Sequence, residues 1–131
     1  MVMSNVAPAA LIQSVVALGV VAFQLALVAG APWGEYTMGG QSKGRLPRSL
    51  RAGAGVSAVI MLAQAGHYLA QAGALPPLLD RNASSVVNWI WFGFSIVGLI
   101  MNSISRSRKE RDIWVPVLLV STVCTLLVAL N

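Results

Sequence analysis

The residues most able to do chemistry lie inside an apolar part of the chain. Gln64, His67, Tyr68 and Gln71 follow one another at helical spacing, so they share one face of an α-helix. Asn88 comes early in the next apolar stretch and is expected at a similar depth if a short loop joins two helices. The chemistry open to this set is hydrogen bonding, and His67 is its only group that titrates near neutral pH.

Two interpretations of this polar set remain open. In the first, its side chains hydrogen-bond between helices, each bond contributing about 0.6 kcal/mol and at most about 1.7 kcal/mol. In the second, they line a pocket for a small polar or amphipathic ligand, because polar groups within a membrane face either a neighbouring helix or a cavity. The sequence favours the first interpretation. We expect His67 to bond to Asn88 or to a glutamine.

The same residues argue against catalysis and against a metal or cofactor. Zinc requires three or four ligands, but the chain has one histidine, one cysteine and no acid within its apolar stretches. No acid–base pair, nucleophile dyad or phosphate-loop pattern is present. Cys124 lies in a hydrophobic run and is expected to pack as a small apolar side chain. We therefore expect no enzymatic activity, no cofactor and no metal.

The elements that must position these residues are apolar segments. The 131 residues are 56% hydrophobic and only 10% charged, whereas soluble domains are about 25% charged. Apolar stretches at about 9–31, 52–75, 84–103 and 113–130 approach the roughly 20 residues that span a bilayer. The first has no Lys or Arg before it and exceeds a signal-peptide core. The prediction is a single all-α domain, an antiparallel up-down-up-down bundle of four transmembrane helices.

Local signals predict where these helices begin and end. Proline lacks an N–H and clashes with the preceding turn, so Pro76 and Pro77 are expected to end the second helix. Ser84 or Ser85 is the expected N-cap of the third helix. Asp112 is the expected N-cap of the fourth, with Pro116 in its first turn.

The basic residues are distributed unevenly. Eight of the nine Lys and Arg residues fall in the first and third loops, 32–51 and 106–112, and the ninth is Arg81. By the positive-inside rule both loops are cytoplasmic and both termini lie outside a plasma membrane. The net charge of +5 then reflects basic residues that attract anionic lipid headgroups. Each such residue contributes about 1 kcal/mol to membrane binding near the surface. A nucleic-acid partner is not expected.

These two loops offer a second candidate site, a cytoplasmic face. Glu35 is the only acid of the first loop, and we expect it to pair with an arginine of either loop. The face is interpreted as structural or headgroup-binding, with a more specific function as the alternative. Its candidate residues are Trp33, Glu35, Arg45, Arg106 and Arg111.

The aromatic residues are expected at the two membrane boundaries, where an apolar ring with a polar tip is favoured. Trp33, Tyr36 and Trp114 would mark the cytoplasmic boundary. Trp89 and Trp91 would mark the outer one.

The loop segments GAPWGEYTMGG, GRLP and NSISRSRKERDIWVPV resemble those of a group of small bacterial four-helix integral membrane proteins of unassigned function. The resemblance covers nearly the whole chain. It implies the same multi-pass topology in a bacterial inner membrane, and it implies no activity.

Two classes of function follow from the sequence. The first is a non-enzymatic membrane protein that acts as an accessory or scaffold, or that binds lipid or a small molecule. The alternative is a small transporter or channel with a polar path along the second helix, past Gln64, His67, Gln71 and Asn88. The expected partners are the bilayer and either a second copy of the chain or another membrane protein.

Overall fold

The chain folds into four long helices. A computed structural model describes residues 6–131, in which the helices are α1 Val6–Val28, α2 Arg48–Gln71, α3 Arg81–Ser103 and α4 Arg108–Leu130. The connection between α1 and α2 contains two short 3₁₀ turns, Gly34–Tyr36 and Met38–Gly40. The described residues contain no strand. The predicted all-α fold of four helices is therefore confirmed.

Three of these helices, α1, α3 and α4, are long and apolar enough to cross a membrane. Helix α2 has 24 residues but is less apolar. It begins with Arg48 and Arg51 and also carries the polar face described above. Helix α1 packs against α2 and α4, and α3 packs against α4.

Helices α1 and α2 both end earlier than expected, because a glycine stops each of them. Gly30 and Gly73 have φ of +101° and +81°, a conformation that glycine adopts without strain. The residue after each glycine donates its N–H to a carbonyl of the last helical turn. Ala31 donates to Ala26, and Ala74 donates to Leu69, both at 2.9 Å. This is the usual glycine termination of a helix. The expectation that Pro76 and Pro77 end α2 is therefore wrong.

Helices α3 and α4 both begin earlier than expected. Asp80 caps α3 through an oxygen that accepts from the Ala83 N–H at 2.8 Å, so neither Ser84 nor Ser85 is the cap. Ser107 caps α4 and accepts from the Glu110 N–H at 3.2 Å, so Asp112 is not the cap. Pro116 consequently lies inside α4 and not in its first turn.

The bundle has two ends, each with its own small apolar core. The basic end comprises loops 29–47 and 104–107 with the flanking helix turns, and its core contains Leu27, Leu46 and Ala54. The opposite end contains loop 72–80. Its core is formed by Val6, Ala9, Ala10, Tyr68, Cys124 and Val128. Cys124 is buried there, as its hydrophobic surroundings in the sequence predict.

Candidate functional site

Asn88 links α3 to two side chains of α2. Its Oδ1 lies 2.6 Å from His67 Nε2, so the imidazole donates to it. Its Nδ2 donates to Gln71 Oε1 at 3.1 Å. Asn88 is buried and uses both ends of its amide. The expected contact between His67 and Asn88 is therefore present, and these three residues form one hydrogen-bonded group.

The other two residues of the predicted set lie elsewhere. Gln64 accepts from Gln13 Nε2 at 2.7 Å, which joins α2 to α1, and both glutamines are only 1% exposed. Tyr68 is fully buried in the core of the opposite end. Its hydroxyl has no hydrogen-bond partner among the described residues. The four polar residues on this face of α2 thus lie in three different environments.

A cavity of about 870 Å³ lies between the two cores. All four helices contribute to its walls, and of the polar set on α2 only Gln64 reaches it. Ligand sites are typically about 300–1,000 Å³ and mainly apolar, so this cavity has the size and character of one. Its apolar walls include Val20, Ile60, Met61, Phe94, Val117 and Leu118.

The polar groups of the cavity lie at particular levels along the bundle. Ser95, Ser121 and the bonded pair Gln13–Gln64 line its deep end, nearest the core that contains Tyr68. Gln24 lies closer to the basic end, and its Oε1 is buried without a hydrogen-bond partner among the described residues. The deep end therefore offers hydrogen bonds and no charge.

The cavity opens sideways between α2 and α3. These two helices pack against each other very little, and the Asn88 group joins them near the opposite end of the bundle. Ile60, Phe94 and Met101 line the cavity and are also 39%, 45% and 60% exposed. An apolar molecule beside the bundle can therefore reach the interior through this gap.

At the basic end, the first loop is bonded to the start of α4. Ser107 Oγ donates to the Glu35 carbonyl. The Gly39 N–H donates to Glu110 Oε1 at 3.2 Å. Trp114 Nε1 donates to the Tyr36 carbonyl at 2.7 Å. These three bonds fix the segment 35–39 over the mouth of the cavity, which Thr37, Met38 and Gly39 line.

The glycine-rich sequence of this loop has a steric cause. Gly40 has a φ of +71°, and a Cβ built on it would lie 2.6 Å from Ser107 Cβ. Real Cβ atoms do not approach so closely, so a larger residue would push the loop off α4. The sequence interpretation missed this contact. The Ser-x-x-Glu spacing of Ser107 and Glu110, which is typical of a helix start, was the available signal.

Glu35 forms its ion pair with a lysine. Its Oε2 lies 2.6 Å from Lys109 Nζ, so the expectation of an arginine partner is wrong, although the partner does belong to the other basic segment. The hydrogen bond from Lys109 holds the pKa of Glu35 below its ordinary value. The same bond raises the pKa of Lys109.

The five predicted face residues do not form one site. Trp33 stacks on Phe23, with ring centroids 6.0 Å apart. Arg111 donates to the Ser105 carbonyl, and Arg45 is exposed beside Gly30. Only Arg106 lines the cavity mouth.

Two of the expected boundary tryptophans face inward. Trp114 lines the cavity and meets the Phe23 ring edge-on at 4.8 Å. Trp91 packs against the core of the opposite end, and its Nε1 has no hydrogen-bond partner among the described residues. Trp33 and Trp89 are exposed, as residues facing lipid would be.

Within residues 6–131, no three His, Cys, Asp or Glu side chains are grouped so as to hold a metal ion. No protein-family model, curated protein or solved structure matches the chain.

Proposed function

We propose that this chain is a non-enzymatic integral membrane protein that binds a lipid-like amphipathic molecule in its central cavity. The observation that carries the proposal is the cavity of about 870 Å³, with apolar walls and a side opening between α2 and α3. A cavity that opens at the level of the acyl chains is supplied with ligand from the bilayer. We also propose that the chain belongs with the small bacterial four-helix membrane proteins that its loop segments resemble.

The proposal includes four membrane crossings. Helix α2 is about 36 Å long at 1.5 Å per residue, and it packs along α1. Its outward residues Val56, Val59 and Leu62 are exposed and apolar, while Gln64 and His67 bond inward. Such a helix presents a suitable surface to lipid despite its lower hydropathy. The basic end is then cytoplasmic and both termini are outside the plasma membrane.

Binding is supported more strongly than transport. A transporter or channel would need a polar route to the opposite end, past His67, Gln71 and Asn88. These three side chains bond to one another, and the core that contains Tyr68 and Cys124 occupies the bundle at that end. Both features favour a cavity with access from one end and from the side.

The experiment fills the cavity without changing the surface. Ser57 lines the cavity on α2, whereas Ala63 on the same helix is exposed. The purified wild type, Ser57→Phe and Ala63→Phe are compared by native mass spectrometry after extraction from membranes. We expect the wild type and Ala63→Phe to retain a bound lipid and Ser57→Phe to lose it. Equal retention by Ser57→Phe and Ala63→Phe, or no retention by the wild type, would contradict the proposal.

A further inference from the structure

We infer that the occupant of the cavity is an anionic amphiphile, with its negative group on Arg106 and its chain directed towards Gln13 and Gln64. The inference rests on the proposed function and adds the charge and the orientation of the ligand. The anionic group is a phosphate or a carboxylate, since an arginine side chain binds both through paired N–H donors.

Arg106 is the cationic residue that lines the cavity. It lies at the mouth, past the end of α3, and its side chain is exposed. The described residues form two ion pairs at this end, Arg108–Asp112 and Lys109–Glu35, and neither uses Arg106. Its guanidinium is thus free to bind a ligand.

The one carboxylate of the cavity wall is already stabilised by the protein. Glu110 is buried and accepts from the Gly39 N–H. It also lies in the first turn of α4, where the helix dipole favours negative charge. It forms no ion pair with Arg106. The positive charge at the mouth therefore remains for an anion from outside the chain.

Other groups at the mouth are less available as donors. Asn102 and Gln41 each donate one side-chain amide N–H to a backbone carbonyl, of Gly98 and of Met38. Arg106 therefore supplies the positive charge at this level, and neighbouring neutral donors can only add to it. The surrounding basic loops raise the local concentration of anionic headgroups.

The side opening lies at the correct depth for such a ligand. Met101 lines the opening and comes shortly before Arg106 in the chain. Phe94 also lines the opening, two helical turns further from the basic end. A headgroup level with Arg106 therefore places its acyl chain at the gap between α2 and α3. Ser95 and Gln64 lie at the deep end of the cavity, beside the inner edge of the gap.

The test measures preference for charge. Purified wild type, Arg106→Gln and Arg108→Gln are equilibrated in detergent with phosphatidylglycerol and phosphatidylcholine of identical chains. A parallel pair uses oleate and oleyl alcohol, so that a phosphate headgroup and a free carboxylate are distinguished. Native mass spectrometry gives the ratio bound in each pair. Arg108 is the matched control because it is a nearby exposed arginine outside the cavity.

We expect the wild type and Arg108→Gln to prefer the anionic member of at least one pair by about tenfold. Arg106→Gln should bind both members of that pair equally. No preference in the wild type, a preference kept by Arg106→Gln, or equal loss in both variants would overturn the inference. Ser57→Phe separates the two proposals. If it abolishes binding while charge preference is absent, the cavity proposal stands and the headgroup inference fails.

Discussion

At the scale of single residues, Asn88 is central because its side chain joins α2 to α3. One buried amide satisfies both His67 and Gln71, so it stabilises the contact between α2 and α3 where few other contacts exist. Helical spacing predicted the face of α2, and the short loop predicted the depth of Asn88. The sequence could not predict that Gln64 turns to Gln13 instead, since that contact joins residues 51 positions apart.

Replacing Asn88 by alanine should therefore destabilise the protein. Two partially buried side chains would lose their partner, and we expect a loss of about 1–3 kcal/mol in the free energy of unfolding. Asn82→Ala, at an exposed position of the same helix, should change it by less than about 0.5 kcal/mol. Denaturant-induced unfolding in detergent provides the measurement. Equal stability of the two variants would show that the bonds contribute nothing.

The Glu35–Lys109 pair predicts a pH dependence. The pKa of Glu35 is lowered by Lys109, so the pair stabilises the fold above the ordinary glutamate pKa of about 4.3. That stabilisation is lost as the pH falls through the lower folded pKa. Since the pKa of Lys109 is raised, the lysine contribution is complete below its ordinary value of about 10.4. It is lost as the pH rises through the higher folded pKa.

Glu35→Gln tests this dependence. Its melting temperature should lie below that of the wild type near neutral pH, and the two should converge as Glu35 is protonated. Asp112→Asn is the control, since Asp112 is exposed and lies 3.7 Å from Arg108. It should have little effect at any pH. A difference between wild type and Glu35→Gln that persists unchanged in acid would rule out the ion pair as its cause.

At the scale of elements, the first turn of α4 organises the basic end. Ser107 caps the helix and also donates to the Glu35 carbonyl, 72 positions away. Apolar stretches predicted four helices, but they could not locate ends that depend on Gly30, Gly73, Asp80 and Ser107. The ends of α1 and α2 lie inside the apolar stretches, where a glycine stops each helix. The starts of α3 and α4 lie in polar segments before the apolar stretches, where capping hydrogen bonds determine the first turn.

Ser107→Ala should accordingly weaken both the helix and the loop contact. Loss of an N-cap costs about 0.5–2 kcal/mol, and the loss of the bond to the loop adds to this. Ser103→Ala is the matched control, since Ser103 is exposed and bonds only within its own helix, to the Leu99 carbonyl. We expect a lower melting temperature for Ser107→Ala alone, with faster proteolysis within 34–42. Identical proteolysis of the two variants would show that Ser107 does not hold the loop.

At the scale of the whole molecule, two cores enclose a cavity between them. Composition predicts a membrane protein, and three helices are long and apolar enough to cross a membrane. The cytoplasmic side stays a prediction from the charge distribution. Neither could predict the cavity. It depends on how far α2 and α3 separate, and that separation follows from packing between helices that are distant in the chain, such as α1 against α4.

The topology is testable by reporter fusions. A reporter that works only outside the cytoplasm should be inactive when fused after Gly44 and active when fused after Leu78, because α2 lies between these positions. Fusion at the C-terminus should also be active. The same activity at Gly44 and Leu78 would show that α2 does not cross the membrane. A cytoplasmic C-terminus would contradict the proposed orientation.

Quenching of Trp114 by brominated lipid tests most directly whether a lipid occupies the cavity. Trp33, Trp89 and Trp91 are changed to phenylalanine, which leaves Trp114, a residue of the cavity wall. The protein is placed in bilayers whose chains are brominated near the headgroup, and the Ser57→Phe and Ala63→Phe changes are added separately. We predict strong quenching with Ala63→Phe and weak quenching with Ser57→Phe. Equal quenching in both would mean that lipid reaches Trp114 only from outside the bundle, and would contradict a lipid-binding cavity.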